Sequence, residues 1–348
     1  MHQPDEWGCG YYRAVAPVYN CFESLSERGI NIVIRDDLRS DETYYDAYIF
    51  HRMPNDTVLK FTQYAKEGVG RKIAWSLDDD LWNVPDYCIN KLDFADRRKL
   101  ELMGELSDYI IVSTPYLAKQ TQFPEKTIVA PNFADVPAFD PFLHGKLSDS
   151  PIRIVWAGSC FHEEDLQLVI EPVKELIEEF GDEVTFVFFG YLPTEFVSYE
   201  RRPGTGIGDV TVKDYGVSLA YLPSVQFRYY FDRLLSLRPH IGIAPLLENV
   251  FNNAKSNCKF LEYSLAGAAT IATNTPPYHC IEHEKTGLLV DPGDSDGWKK
   301  AIRRLIKDPD FRAHLAANAK KTVKRKYSWT NPKNKKIWLD MFTRLVDN

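Results

Sequence analysis

The sequence predicts an α/β protein built from two doubly wound parallel-sheet domains, and three observations carry that expectation. Short apolar runs of strand length alternate with helical stretches in both halves of the chain, the pattern of parallel strands joined by helical crossovers. The length, 348 residues, suffices for two domains with a core each. Between the halves, Pro137, Pro141, Gly145 and a polar SDSP end read as a linker. The expected division is a first domain over 1–135, a linker over 136–150, a second domain over 151–326 and a final helical segment over 327–348.

Composition narrows the class. Hydrophobic content of 44% and charged content of 26% are ordinary for a soluble globular chain. A net charge of −7 argues against a generally basic nucleic-acid binder, while a local basic groove stays compatible with it. The six cysteines (Cys9, Cys21, Cys88, Cys160, Cys258, Cys280) show no CxxC pair and no metal-ligand spacing, as expected of reduced thiols. No apolar run approaches the roughly 18 residues of a membrane span. The opening MHQPDEWGCG lacks the features of a signal peptide. A soluble, cytoplasmic chain is the expectation.

In the first half, GCGYYR at 8–13 precedes a helical stretch from about Tyr12 to Arg28. Gly8 and Gly10 there would permit close backbone approach to a ligand at a helix start, and a plain turn fits the same residues. Apolar strands are expected at Ile30–Arg35, Ala47–Phe50, Lys72–Leu77, Tyr109–Val112 and Thr127–Ala130, with helices around 56–67, 93–106 and 115–120. Ligands of doubly wound sheets bind outside the carboxyl ends of the strands. The residues to weigh are therefore His51 and Arg52, the three acids of WSLDDDLW (Asp78, Asp79, Asp80), VSTPYLA at 112–118, and Asn132 in APNFAD. Consecutive carboxylates suit a hard divalent cation. A turn capped by Asp79 or Asp80 suits them as well.

The second half opens with RIVWAGSCFHEEDL, a strand and a turn carrying Ser159 and His162, before a long amphipathic helix expected from Glu163 to Phe180. His162 fits either a phosphate hydrogen bond or a helix cap. A strand at Val184–Gly190 leads to a loop-like stretch at 191–212 with Arg201, Arg202 and a GTGIG run. No helical pattern follows that run, so a dinucleotide reading is discounted. Tyr215–Pro223 and a helix at Gln226–Leu237 come next.

The stretch APLLENVFNNAKSNCKFLEYSLAGAATIATNTPP, from Ala244 to Pro277, organises this half. It predicts a buried strand at Ile241–Leu247, an N-cap at Asn252 or Asn253, a helix from about Ala254 to Ala266 stopped by Gly267, a strand at Ala269–Thr273 and a Pro-Pro turn. On one such helix Lys255, Lys259 and Glu262 share a face, and Cys258, Leu261 and Leu265 form an apolar stripe. Two lysines near a helix N-terminus suit a phosphate, and Glu262 suits a ribose diol. A surface Lys/Glu helix with i,i+4 pairing has the same spacing. Helices at Asp296–Lys307, Asp310–Lys326 and about 332–346 complete the chain, with the basic KKTVKRK run read as a solvated face.

The string K-S-x-x-K-F-L-E-Y-x-x-x-G from Lys255, followed by a strand, P-P-Y and T-G-L-L-V, resembles the nucleotide-sugar-binding half of GT-B glycosyltransferases of family 4 (group 1) and their bacterial and phage relatives. GCGYYR resembles the glycine-rich loop of their N-terminal domain, and STPYLA and PN resemble signatures near that domain's end. The resemblance implies two Rossmann-like domains facing a cleft, with the C-terminal helix crossing back onto the first. It implies transfer of a sugar from a nucleotide-diphospho-sugar, UDP- or GDP-linked, with retention of configuration. No cofactor is required and no metal is expected. The acceptor is left open among a glycan, a lipid carrier, a protein, a small molecule and a modified phage DNA base.

Carried onto this sequence, the resemblance puts Glu262 on the ribose and Tyr221 and Leu222 near the base. Gly8, Gly10, Ser159, Lys255, Ser256 and Lys259 fall on the donor diphosphate. Asp79, Asp80 and His162 are the candidates for catalysis, and Tyr11, Arg13, Arg52 and Asn132 for the acceptor side. Departures are visible too. No apolar strand precedes residue 8, and the family's second acidic residue, eight positions before Glu262, is Ala254. The Arg/Lys pair after the first strand of the second half is missing, and Thr275 and Pro276 replace two glycines. Such losses also fit a non-catalytic nucleotide-sugar-binding subunit. A sugar phosphorylase would need a pyridoxal lysine site, for which there is no pattern.

Overall fold

The computed structural model describes residues 1, 8–36, 38, 45–88, 92–136, 150–201, 208–212 and 215–347. Most of the expected linker, Arg202 and most of the GTGIG run lie outside the described residues. The chain forms two compact units: Met1–Val136 with Asn249–Cys258 and Lys324–Asn348, and Pro137–Glu248 with Lys259–Val323.

In the first unit, β1 (Ala47–His51), β2 (Lys72–Leu77), β3 (Tyr109–Val112) and β4 (Thr127–Val129) pair in parallel in the order β1-β2-β3-β4. Ile73, Trp75, Leu77, Ile110 and Val112 pack on one face and Ile49, Ala74 and Ile111 on the other, which is why these strands read as continuous apolar runs. The crossover helices start where the sequence places caps. Asn55 accepts from Val58 N, Asp93 from Asp96 N and Thr114 from Leu117 N. The last helix, Pro332–Val346, buries Trp338, Met341, Phe342 and Leu345 against Ala16, Cys21 and Leu25 of the first helix. Each such large apolar side chain contributes about 1.5–3 kcal/mol on burial.

Two expectations for this unit fail. Residues 30–34 carry no regular structure, although Met1 pairs with Val33 and Arg35. Gly8 and Gly10 are not in a loop: residues 8–26 are helical throughout, with a π-helical turn at Tyr11–Val15 between α-helical Gly8–Gly10 and Ala16–Ser26.

In the second unit, β5 (Ile152–Ala157), β6 (Val184–Gly190), β9 (Leu219–Pro223), β10 (Ile241–Ala244), β11 (Ala269–Thr273) and β12 (Leu288–Val290) form a parallel six-stranded sheet in the order β12-β11-β10-β5-β6-β9. The chain builds outward from β5 to β6 and β9, then returns to lay β10, β11 and β12 on the opposite side. The strand order therefore reverses between β5 and β10, the crevice where sheets of this kind accept ligands.

Three helix and loop expectations are corrected here. The helix expected over 163–180 is two, Glu163–Leu166 and Ile170–Phe180. Pro172 lacks an N–H and its ring disfavours a helical carbonyl one turn back, at Leu168, so the helix restarts. The stretch 191–212 contains an antiparallel pair, β7 (Val197–Arg201) and β8 (Gly208–Val212). Tyr221 and Leu222 lie within edge strand β9, paired with Phe188 and Phe189, and not in a loop.

The expected helix over 254–266 is broken as well. Asn249 caps a short helix, Val250–Asn253, and helix resumes only at Cys258–Leu265. Lys255 N and Ala254 N bond three residues back, tightening the first segment to a close, and Ser256 and Asn257 interrupt. The stop at Gly267 is as expected. Its φ is 85°, and Ala268 N bonds Tyr263 O while Gly267 N bonds Ser264 O, the paired closure of a Schellman motif.

Candidate functional site

At the carboxyl ends of β5, β6 and β10 the second unit is built on missing side chains. Gly158 follows β5 and donates its N–H to Phe189 O at 2.9 Å. A Cβ on Gly158 would stand 2.6 Å from the Trp156 ring and 3.2 Å from Lys259 Nζ. Gly190, at the end of β6, has φ 100°, and a Cβ there would run into the Gly158 carbonyl. Both positions therefore need glycine. Into the space they leave comes Lys259, whose ammonium donates to Ala157 O at 2.8 Å and lies 5.5 Å from the Trp156 ring centroid. Tyr263, one turn on, accepts from Ala157 N at 2.9 Å and donates to Ile243 O at 3.3 Å, tying the helix to β5 and β10 across the reversal. Burial pushes its phenol up from the usual tyrosine value.

Glu262 is buried, 6% exposed, and accepts a 2.8 Å hydrogen bond from the Tyr230 hydroxyl. Tyr230 is held between Phe189 and Phe227, with ring centroids at 5.4 and 5.1 Å. Every residue from Phe260 to Leu265 is buried, so the surface Lys/Glu helix is ruled out. A carboxylate in such a place must be hydrogen-bonded to persist. Nearby, Asp165 accepts from Leu247 N at 2.8 Å through one oxygen and meets His162 Nδ1 at 2.7 Å with the other. Through this contact Asp165 fixes the orientation of the His162 ring. Ser159 is exposed beside it.

The first unit gathers charge instead. Arg13, from the helix, is fully buried. Nε donates to Ser76 Oγ, Nη1 to Ala130 O and Asn132 Oδ1, and Nη2 to Ile111 O, while the guanidinium stacks 4.8 Å from the Trp338 ring centroid. Burial lowers its pKa to about 10, opposed by the Asp78 charge, and it stays a cation at neutral pH. Asn132 passes the contact on, donating to Asp78 Oδ1 at 2.8 Å and Ser256 Oγ at 3.0 Å. Burial, with Asp79 adding, pushes the Asp78 carboxyl up; Arg13 and Asn132 pull it back. Asp79 lies 3.3 Å from Lys255 Nζ and 3.9 Å from the Arg52 guanidinium. Asp80 accepts from Trp82 N, Asn83 N and Asn83 Nδ2, capping its own turn. Thr114 Oγ1 donates to Ala254 O at 2.9 Å, and Ala254 itself lies in this unit's apolar core.

Residues 258–322 match the family model described as Glycosyl transferases group 1. Across the whole chain the architecture is similar to the crystal structure of Anabaena Alr3699/HepE in complex with UDP and glucose. The TM-score is 0.66 at 13% identity, covering 100% of this chain and 98% of that one. It is also similar to sucrose-phosphate synthase from Thermosynechococcus elongatus, with a TM-score of 0.58 at 13% identity over 86% of this chain and 73% of that one. The chain has the GT-B fold.

Sequence similarity is more local. The lipopolysaccharide core biosynthesis glycosyltransferase LpsD of Rhizobium meliloti (strain 1021) is 39% identical over 85 residues, 23% of this chain and 23% of that protein. An uncharacterised glycosyltransferase of Methanocaldococcus jannaschii, MJ1607, is 35% identical over 194 residues, 53% of this chain and 43% of that protein. The chain thus spans less than half the length of either curated relative.

Within this GT-B chain the expected site residues separate. Lys259 and Glu262 fall in the second unit; Lys255 and Ser256 fall in the first, so the shared face of Lys255, Lys259 and Glu262 does not exist. Lys255 pairs with Asp79, and Ser256 meets Asn132 and Cys258 Sγ. Arg13 is buried with its donors committed to protein, which removes it from the acceptor side. Asn132 is likewise buried in that network. Tyr11 donates to Asp135 Oδ2 at 2.6 Å, and burial pushes its phenol up. Among the described residues no group of three or more His, Cys, Asp or Glu side chains could hold a metal ion, and no helix is long and apolar enough to cross a membrane.

A cavity of about 490 Å³ lies not at the β5/β10 reversal but against edge strand β12, between Leu288–Val290 and Lys300, Ala301 and Arg304. The site residues that sequence reasoning missed are Gly158, Asp165, Gly190, Tyr230 and Tyr263. Asp165 had a local signal, three residues after His162 and so one helical turn on. Tyr230 and Gly190 had none, because their partners, Glu262 and Gly158, are each 32 residues away in sequence.

Proposed function

We propose that this chain is a glycosyltransferase that moves a sugar from a nucleotide-diphospho-sugar to a nucleophilic acceptor, with the donor on the second unit. One observation carries the reading. Glu262, a buried carboxylate oriented by Tyr230, lies one helical turn from Lys259, whose ammonium reaches Ala157 O beside the close Gly158–Gly190 backbone contact where strand order reverses. A carboxylate there suits a vicinal diol, which offers two O–H donors to its two oxygens. Lys259 supplies positive charge where negative charge accumulates as the glycosidic bond to the leaving diphosphate breaks, and fixed charge aimed in this way usually does most to lower such a barrier. The UDP bound in the Anabaena structure supports a UDP-linked donor over a GDP-linked one.

In this reading His162, fixed through Asp165, donates to or accepts from the diphosphate or the sugar. Ser159 lies within the same turn, and Tyr221 and Leu222 on β9 stand for the base side. Retention of configuration follows from the resemblance and is the finer part of the proposal; a β-linked product from an α-linked donor would overturn it. No metal is assigned. A cytoplasmic location, and an acceptor that is a glycan, lipid carrier or protein in preference to DNA, complete the reading.

A second reading is favoured by Ala254. The position where the family carries its sugar-contacting acid is here apolar and buried in the first unit's core. A non-catalytic nucleotide-sugar-binding subunit would tolerate that loss. The test is the thermal shift with nucleoside diphosphates and UDP-sugars, run beside slow donor hydrolysis without acceptor. Stabilisation that Glu262→Gln abolishes, together with hydrolysis, supports the enzyme. Stabilisation without hydrolysis supports the binding subunit, and no stabilisation by any nucleotide rejects both.

A further inference from the structure

Trp156, near the end of β5, carries a ring that core packing alone does not explain. Strand pairing sets it opposite Phe188 of β6, the two rings lie 6.3 Å apart at 48°, and Trp156 is 1% exposed. Its indole Nε1 is buried with no hydrogen-bond partner among the described residues. A buried indole N–H usually finds an acceptor, and one left without costs the fold stability. A wholly apolar side chain would fill this place in the core without that cost. What the indole adds is its face, which attracts a cation better than any other aromatic side chain.

That face is in use. Lys259 Nζ stands 5.5 Å from the ring centroid, inside the roughly 6 Å over which a cation and a ring attract. The ammonium also donates to Ala157 O at 2.8 Å. Both of these partners are uncharged, so they draw the ammonium to one place without neutralising it. Gly158 belongs to the same arrangement. A Cβ there would stand 2.6 Å from Trp156 Cζ2 and 3.2 Å from Lys259 Nζ, so only glycine leaves ring and ammonium where they are. His162 meets the ring as well, at 6.1 Å and 78°, but it has an anchor of its own in Asp165 at 2.7 Å. The long, flexible lysine stem depends on the ring more.

We infer that Trp156 is a positioning residue for glycosyl transfer, its ring holding the Lys259 ammonium at the end of β5 for the donor diphosphate. The inference rests on the proposed donor site for the diphosphate, and not for the contact between ring and ammonium. Being buried, the ring acts through the lysine. It restricts the lysine before the ligand arrives, so less freedom is lost on binding, and the gain appears as affinity for phosphate and not for ribose or base. It acts again as the glycosidic bond breaks, because a cation already in place needs no reorganisation.

The test is a double-mutant cycle on the full chain. Calorimetry measures the affinities for UDP and for uridine in the wild type, Trp156→Leu, Lys259→Met and the double variant. Trp156→Leu is expected to weaken UDP about tenfold and to leave uridine unchanged. In the Lys259→Met background the same substitution is expected to change UDP affinity by less than about twofold, because the lysine through which the ring acts is gone. Equal losses for UDP in both backgrounds, or equal losses for UDP and uridine, overturn the inference and leave Trp156 as core packing. Trp156→Phe keeps a ring with a weaker face; it is expected to fall between wild type and Trp156→Leu, and it carries the cycle if Trp156→Leu does not fold. A magnetic-resonance spectrum of the unliganded chain with isotope-labelled lysine separates this inference from the donor reading. The Lys259 ε-methylene protons, identified by their absence in Lys259→Met, should be shifted upfield by the ring and return to the ordinary lysine position in Trp156→Leu. If UDP fails to bind the wild type, the donor reading falls. The spectrum then still decides whether the ring holds the lysine, and an unshifted wild-type signal overturns the contact.

Discussion

At the carboxyl end of its sheet the first unit packs charge, and at the carboxyl end of its own the second removes side chains. Arg13, Asp78, Asp79, Arg52 and Lys255 crowd the first, held by one another and by Asn132. Gly158 and Gly190 let backbone pack on backbone in the second, beside Lys259 and the helix that carries Glu262. A buried ion network is costly to desolvate and tolerates no loss of a partner. A close glycine contact costs little to keep and tolerates no added atom. The buried Arg13–Asp78 part of the first region should therefore fail by losing the fold, and the second by losing ligand affinity with a smaller loss of stability.

The largest effect is expected at Arg13. Arg13→Met removes the cation that faces Asp78 and leaves Ser76, Asn132 and the Ile111 and Ala130 carbonyls without their donor. A loss of about 3–5 kcal/mol is expected in urea denaturation. A loss under about 1 kcal/mol would mean that the network is incidental, and the contrast between the regions would collapse. Next is Gly190→Ala, where the new Cβ meets the Gly158 carbonyl in a backbone conformation unsuited to alanine. Here about 1–3 kcal/mol of stability should go, together with nucleotide affinity. An alanine variant that binds and melts as the wild type would show that the close contact is not needed.

Smaller effects sharpen the second region. Glu262→Gln should weaken nucleoside diphosphate binding about tenfold or more, and Tyr230→Phe by less, in keeping with the roughly 0.5–1.5 kcal/mol of one neutral hydrogen bond. Calorimetric titration of both variants checks the order. If Tyr230→Phe proves the more damaging, the tyrosine itself contacts the ligand. The smallest effect is expected at Asp80. Its oxygens serve its own turn, so Asp80→Asn should cost about 1 kcal/mol of stability and leave turnover with saturating donor unchanged. A large fall in turnover with intact stability would return Asp80 to the chemistry.

Much of this was legible in the chain. Apolar runs bounded by caps and glycines locate β2, β3, β6 and β11 with their observed bounds, because a strand buried on both faces leaves a continuous apolar signature. Helices near 56, 93 and 115 were legible too, and in the structure Asn55, Asp93 and Thr114 cap them, each side-chain oxygen satisfying an orphan N–H at short range. Gly267 marks a helix stop because glycine takes the positive φ that closes the last turn. Part of the motif from Lys255 to Glu262 falls in the stretch that matches the family model, residues 258–322. It misled on geometry, because helical spacing assumes an unbroken helix, and Ser256–Asn257 break it.

Local order, then, was determined by the sequence itself: which residues lie in strands, where helices begin, and that glycines and a Lys/Glu motif flank the strand ends. Tertiary structure alone decided which of those residues meet. Residues 249–258 fold with the first unit, which takes Lys255 to Asp79 and leaves Lys259 and Glu262 in the second. Burial turned Arg13 from a candidate ligand contact into an internal strut, and a tyrosine 32 residues away fixed Glu262. The physical reason is range. Caps and turns are settled by bonds between near neighbours in the chain, whereas charge pairing, close glycine packing and burial depend on partners that only the folded sheets bring together.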